Sequence, residues 1–185
     1  MNLTIATPMG TIRLRPTSAI DAEALRELRL EALWMHPEVF ASDHDASAKR
    51  PLEWWLDRAR AGSGEKDQVT FVAESAADDS LVAMCGLYRE EGTKINHNAH
   101  LWGVYVRPAW RGLKIADAMI DACEQWARQR GVRIIRLAVI TSNAAAIRCY
   151  NRRGFVPFGT APQAICHNGV FFDELLMAKQ LDAEN

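Results

Sequence analysis

Apolar residues recur along this chain with two periods, and the two take turns from one end to the other. In GTIRLRPT, Ile12 and Leu14 alternate with Arg13 and Arg15, the two-residue period of a strand with one buried face. Ser18-x-x-Asp21 follows with the spacing of a capping box, and Leu25, Leu28 and Ala32 then share one helical face. An irregular stretch, HPEVFASDHDAS, separates this helix from PLEWWLDRARA, where Pro51 suits a first helical turn. AGSGEKD is a turn, and QVTFVAES and SLVAMCGLYRE read as two strands joined through the polar AADD.

HLWGVYV is the next strand, with Gly103 at its centre. Glycine weakens a flat strand, so this position predicts a bulge or a close approach by another backbone. After Pro108, residues Ile115, Ala118, Met119, Ala122 and Trp126 fall at i, i+3, i+4, i+7 and i+11, an amphipathic helix with Gly131 as its C-terminal cap. VRIIRLAVI is almost continuously apolar, the pattern of a strand covered on both faces. Residues 100–140 therefore read as a parallel strand–helix–strand unit with a right-handed crossover. A short helix, NAAAIRCYNRR, leads through Gly154 into two closing strands, GFVPFGT and VFFDELLMAK. The predicted fold class is α+β: a single mixed, largely antiparallel sheet with helices on both faces. Residues 1–9 read as an N-terminal extension, 10–180 as one domain and 181–185 as a C-terminal tail.

Composition changes this picture little. A chain of 185 residues, 49% hydrophobic and 24% charged, is an ordinary globular domain able to bury a substantial core. Its 22 basic and 23 acidic side chains nearly cancel, which argues against a broad cationic face for nucleic acid but allows a local basic pocket. MNLTIATPMG lacks the basic start and apolar run of a secretory signal, and no run approaches ~18 apolar residues, so no membrane span is expected. Cys85, Cys123, Cys149 and Cys166 are scattered without Cys-x-x-Cys spacing. They read as reduced thiols of a cytoplasmic protein, with no metal site.

The basic turn after Val106 carries the first candidate chemistry. A helix N-terminus has unpaired N–H groups and a partial positive charge, so a strand–turn–helix with Arg111 and Gly112 at the turn can receive an anion. Neither G-x-x-x-x-G-K-[ST] nor G-x-G-x-x-G is present, which removes the nucleoside-triphosphate loop. Taken alone, the turn is equally a plain exposed helix start.

Two stretches together resemble the GNAT superfamily of acetyl-CoA-dependent N-acetyltransferases. Val106-x-Pro108-x-x-Arg111-Gly112-x-Lys114-Ile115-Ala116 is similar to its acyl-CoA pyrophosphate loop. Asn143-x-x-Ala146-Ile147-x-x-Tyr150-x-x-x-Gly154-Phe155 is similar to its second signature. Their order and their separation by one helix and one strand match as well, and the resemblance in fold extends over essentially the whole chain. It implies that backbone N–H groups of Arg111, Gly112, Leu113, Lys114, Ile115 and Ala116 hold the coenzyme A pyrophosphate. It places the pantetheine arm in a wedge where residues 101–106 and 134–139 splay apart, against Val104, Tyr105 and Val106, with Gly103 as the bulge. Asn143, Ala146 and Tyr150 are expected beside that arm. The family usually has glycine where Lys114 stands, because a side chain there crowds the phosphates; coenzyme binding is nevertheless expected to survive.

Acyl transfer to an amine requires a neutral nucleophile, although a free alkylamine has a pKa of about 10.4, together with donors for the oxyanion and a proton for the thiolate. Tyr150 is the candidate acid; packing beneath its helix is the competing reading. His100 is the candidate base. It shares strand alternation with Trp102, Val104 and Val106, and it stands six residues before Val106, where some family members carry a glutamate base. A surface histidine, Glu90, Glu91 or a water chain are the alternatives. Glu31, Glu38, Asp43 and Asp45 near the first helix either draw a cationic amine or are merely solvated. Trp54 and Trp55 cannot share one helical face, so at least one packs inside, and of Asp173 and Glu174 at most one looks into the cleft.

The function expected is transfer of an acetyl group from acetyl-CoA to a primary amine of a small molecule or peptide, by direct attack on the thioester. The partners are acetyl-CoA and the amine, with no nucleic acid and no membrane; a homodimer is allowed. A non-catalytic acyl-CoA-binding module of the same fold is the alternative, kept open by Lys114 and the unassigned base, and an interaction domain without coenzyme is a third reading. The identity of the amine does not follow from the fold.

Overall fold

Eight strands form one sheet in the order β1-β2-β3-β4-β5-β6-β8-β7 in the computed structural model, which describes residues 2–181. They are β1 (Leu3–Thr7), β2 (Gly10–Pro16), β3 (Gln68–Ser75), β4 (Leu81–Arg89), β5 (Asn98–Val106), β6 (Ile134–Ile140), β7 (Val156–His167) and β8 (Val170–Gln180). The helices are α1 (Ala22–Met35), α2 (His44–Ala48), α3 (Leu52–Ala61), α4 (Ile115–Arg128) and α5 (Ala144–Arg152). Only β5 and β6 are parallel; the other neighbours pair antiparallel. The segment read as an N-terminal extension supplies the edge strand β1, in register with β2 from Leu3–Leu14 to Thr7–Gly10. Of the tail at 181–185 only Leu181 lies within the described residues, and it is buried against the core.

The two periods of the sequence become the two sides of the sheet. Ile12 and Leu14 turn inward, and the stripe Ile115, Met119, Ala122 and Trp126 seats α4 on β3, β4 and β5. The opposite face is covered by α1 and α3, where Leu25, Leu28, Ala32, Trp55 and Ala59 meet Val72, Met84 and Tyr105. Trp55 is the inward tryptophan, and Trp54 meets it edge-on at 4.8 Å. The capping box before α1 is formed, with the Ser18 N–H donating to Asp21 at 2.7 Å. Asp21 also binds Arg15, through two contacts of 2.8 Å, and Glu74 completes the neutralisation of that partly buried cation.

Two local irregularities position the site. The parallel ladder between β5 and β6 consists of Asn98–Ile134, Ala99–Ile135 and His100–Arg136, and beyond it the strands run on to Val106 and Ile140 without pairing to each other. Between the pairs Met84–Tyr105 and Gly86–Trp102, β4 has one residue where β5 has two, Gly103 and Val104. Gly103 takes φ +65°, a left-handed conformation that glycine adopts without steric cost. The extra residue reverses the alternation of β5. Leu101 faces the α4 core, and so do Val104 and Val106, while Tyr105 joins the α1 core.

Candidate active site

The splay opens a cleft of about 530 Å³ at the C-terminal ends of β5 and β6. Val104, Tyr105 and Val106 line one wall. Arg111, Gly112, Lys114, Ile115 and Ala116 line the mouth of α4, and Asn143, Ala146 and Tyr150 come from α5. Of the residues expected around the coenzyme, Leu113 is the one set back, half-buried against the α4 core. The Arg111 N–H donates to Pro108 O at 3.2 Å and so is not free to meet an anion. The first amides of α4 have no partner within the helix.

Gly112 and Lys114 both have positive φ, +80° and +58°. Glycine suits the second position because the turn needs a left-handed residue there, a reason that adds to crowding. A lysine in that conformation costs about 1–2 kcal/mol. Its side chain is exposed, outside the fold of the turn. The Arg111 side chain bends back: Nε donates to Val106 O and Nη2 meets His36 Nε2, each at 3.0 Å, tying the end of α1 to the coenzyme turn.

Asn143 caps α5 by accepting from the Ala146 N–H at 3.1 Å. One turn beyond Ala146, Tyr150 lines the cleft with its ring edge-on to Phe155 at 6.0 Å. Burial, reinforced by the thiols of Cys85 and Cys149, pushes the Tyr150 phenol well above the ordinary tyrosine range. It therefore stays protonated throughout neutral pH, as a proton donor must.

His100 is not brought to this cleft. The Gly103 bulge places His100 and Trp102 on the face covered by α3, opposite Val104 and Val106, so the alternation that linked them in sequence does not hold in the fold. His100 Nε2 lies 2.6 Å from Glu90 Oε1, and its ring stacks on Tyr88 at 5.1 Å. Glu91 is an exposed turn residue.

A second cleft, of about 490 Å³, lies between the α1–α2 connection and the β7–β8 hairpin. Leu33, Trp34, Phe40, Ser42 and Ile165 line it, and Phe40 also lines the first cleft, so the two adjoin. The acids near the first helix have separate duties. Glu31 accepts from the Tyr105 hydroxyl at 2.8 Å and from Arg107 Nε at 3.0 Å; burial and this bond push the Tyr105 phenol up to about 12. Glu38 lines the first cleft. Asp43 caps α2 and Asp45 holds His44, both at the second cleft. Asp173 accepts from the Gln163 N–H, and Glu174 is half-buried, its carboxyl pKa raised by that burial; neither lines a cleft.

Sequence reading passed over His36, Phe40, Arg29 and Arg58. Arg29 did carry a signal: with Leu25, Leu28 and Ala32 it completes i, i+3, i+4, i+7, so it occupies a position on the apolar stripe itself.

A splayed parallel strand pair, a bulge beside it, a helix N-terminus at its mouth and a protonated tyrosine within it define an acyl-coenzyme A transferase of the acetyltransferase type. Residues 25–155 match the acetyltransferase (GNAT) family, and the chain belongs to it. It is 27% identical over 176 residues to the L-amino acid N-acetyltransferase AaaT of Escherichia coli, covering 92% of this chain and 99% of that protein. It is 30% identical over 155 residues to the L-methionine sulfoximine/L-methionine sulfone acetyltransferase of Pseudomonas aeruginosa, covering 82% and 80% of the two chains. Its fold matches yncA of Salmonella typhimurium, solved with acetyl-CoA as its cofactor, with a TM-score of 0.73, 21% identity, and coverage of 94% and 96%. The protein is thus a GNAT-type N-acetyltransferase, for which acetyl-CoA is the acetyl donor. No helix among the described residues is long and apolar enough to cross a membrane.

Proposed function

We propose that the acceptor is the α-amine of a free amino acid or a close analogue, and that Tyr150 supplies the proton to the departing thiol. The observation that carries this reading is the meeting of the two clefts at Phe40. One is walled by helix-start amides and Tyr150, and the other is a separate space of about 490 Å³ suited to a small side chain. The two relatives named above, both acetyltransferases of L-amino acids or their analogues, support the same class of acceptor.

In this reading the neutral amine attacks the thioester carbonyl carbon, forming the C–N bond as the C–S bond breaks. The excess proton on nitrogen passes to water, the Tyr150 hydroxyl protonates the thiolate sulfur, and solvent restores the phenol. Backbone groups of Val104 and Val106, turned into the wedge by the bulge, hold the pantetheine amides and polarise the carbonyl. The four free cysteines suit a reducing cytoplasm.

The test is thiol release from acetyl-CoA against L-amino acids, polyamines and peptides with free N-termini. Amino acids should give the highest kcat/KM; a preference for peptides or polyamines would end this proposal.

A further inference from the structure

Two arginines, Arg29 buried and Arg58 half-buried, have no acid to balance them. Arg29, on the inward stripe of α1, is 7% exposed. Its Nη1 is buried with no hydrogen-bond partner, and its Nη2 reaches the Ser42 hydroxyl at 3.4 Å. Arg58, on α3, stacks against Trp54 and Trp102, with ring centroids 5.3 and 4.5 Å from the guanidinium carbon. Among the described residues, no carboxylate stands within ion-pair distance of either. Burial, with the neighbouring charge of Arg58, pulls Arg29 down to about 10, and burial lowers Arg58 as well. Both remain cations at neutral pH.

The contrast with Arg15 is instructive. That cation is met by Asp21 and Glu74. An uncompensated buried charge costs several kcal/mol, and a buried polar atom without a partner calls for an explanation.

The place of Arg29 supplies one. Its Nη1 lies 3.6 Å from where a β-carbon on Gly103 would stand, and Gly103 directly precedes Val104, a wall of the coenzyme cleft. On its other side the Phe40 ring centroid is 4.6 Å from the guanidinium carbon. Phe40 lines both clefts and Ser42 the second. Arg29 itself lines neither cleft: it packs behind Phe40 and Ser42, which do, in a closed crevice without free volume that it shares with Arg58, Gly86, Trp102 and Gly103.

We infer that Arg29, backed by Arg58, is the binding site for the carboxylate of the acceptor, an inference that rests on the amino-acid reading above. A guanidinium matches the two oxygens of a carboxylate in one plane, which an ammonium cannot do. The Ser42 hydroxyl can donate to the same group. In an α-amino acid the amine is one carbon removed from the carboxylate, so anchoring the acid at Arg29 brings the nitrogen beside the bulge where the wedge begins. The two positive charges also favour the neutral, nucleophilic form of that amine over its ammonium.

The test compares several L-amino acids, each against its own carboxamide, in the wild type and in Arg29→Gln, Arg29→Lys and Arg58→Gln. The wild type should prefer the acids. Arg29→Gln should raise their KM by about 10- to 100-fold, the worth of a charge-assisted hydrogen-bond pair, with a much smaller change in the carboxamide KM and none in the acetyl-CoA Kd. Arg29→Lys should recover part of that loss. Removing an unpaired buried charge should leave the thermal midpoint of Arg29→Gln equal or higher, which separates lost recognition from lost folding. A wild type indifferent to acid and carboxamide overturns the amino-acid reading itself. A wild type that prefers acids, with a preference intact in both Arg29→Gln and Arg58→Gln, overturns the assignment of the site and leaves that reading standing.

Discussion

On the coenzyme side of the cleft the proposed contacts are mostly main chain: the amides at the start of α4 and the strand edge of β5 freed by the splay. On the proposed acceptor side they are side chains drawn from distant elements: Phe40 and Ser42 after α1 and Ile165 on β7 line the second cleft, and Arg29 and Arg58 are packed in the crevice behind it. A site made of backbone depends on conformation and should tolerate a change of side chain, and Lys114 keeps the left-handed conformation of the turn. A site made of side chains depends on each identity, and one substitution can change what it accepts. This division explains how one scaffold keeps a single acetyl donor while its acceptors differ.

Tyr150 is where the division should fail most visibly, because it is a side chain lining the coenzyme cleft for which we propose a chemical duty. Tyr150→Phe should lower kcat by about 100-fold, the lower range for loss of a general acid, with acetyl-CoA affinity within about twofold of wild type. Since burial raises the phenol's pKa, the protonated form persists through the ordinary tyrosine range. The wild-type rate should accordingly show no alkaline loss from this group below about pH 10. Full turnover in the variant, measured where chemistry limits the rate, would remove Tyr150 from the mechanism.

Gly86→Ala probes the other side. A β-carbon on Gly86 would stand 2.2 Å from the Trp102 indole, so the ring must be displaced from its place against Arg58. The expected cost is about 1–3 kcal/mol of stability by denaturant titration, the range for overpacking. Acceptor KM should rise with acetyl-CoA Kd unchanged. A change in coenzyme affinity instead would show the two sides to be mechanically one.

Lys114→Gly should act in the opposite sense and more weakly. Relief of the left-handed lysine is worth about 1–2 kcal/mol, and the greater chain entropy of glycine offsets about half of it. A net gain of up to about 1 kcal/mol and equal or tighter acetyl-CoA binding by calorimetry are expected. A large loss of affinity would make the lysine itself a phosphate ligand and the main-chain account incomplete.

The same division governs what could be read from the chain beforehand. The coenzyme loop, the asparagine that caps α5 and Tyr150 lie in two short stretches whose order and spacing are visible in the sequence, and the structure gathers them at one cleft. β1 went unseen because Leu3 and Ile5 alternate too briefly to stand out from a polar start. The acceptor side is assembled by tertiary packing alone, and no local pattern joins Ser42 to Ile165 or Arg29 to Gly103. Arg29 shows how such a residue can be found nonetheless, as a charge in the middle of an otherwise apolar helical stripe. The alternation of β5 misled for a physical reason as well: Gly103 announced a bulge, and a bulge changes the parity of everything beyond it.

His100 tests that last point and should show the smallest effect. If the bulge sets the faces of β5, then His100, paired with Glu90 and stacked on Tyr88, takes no proton from the acceptor. His100→Ala then removes a partly buried side-chain contact with Glu90, worth less than about 1 kcal/mol, and leaves the pH dependence of kcat/KM superimposable on wild type. The measurement is sensitive because a histidine base gives an acid limb that its removal abolishes. If that limb is present in the wild type and disappears in the variant, His100 lies on the proton's route. The reversal of faces at Gly103 would then no longer separate it from the chemistry.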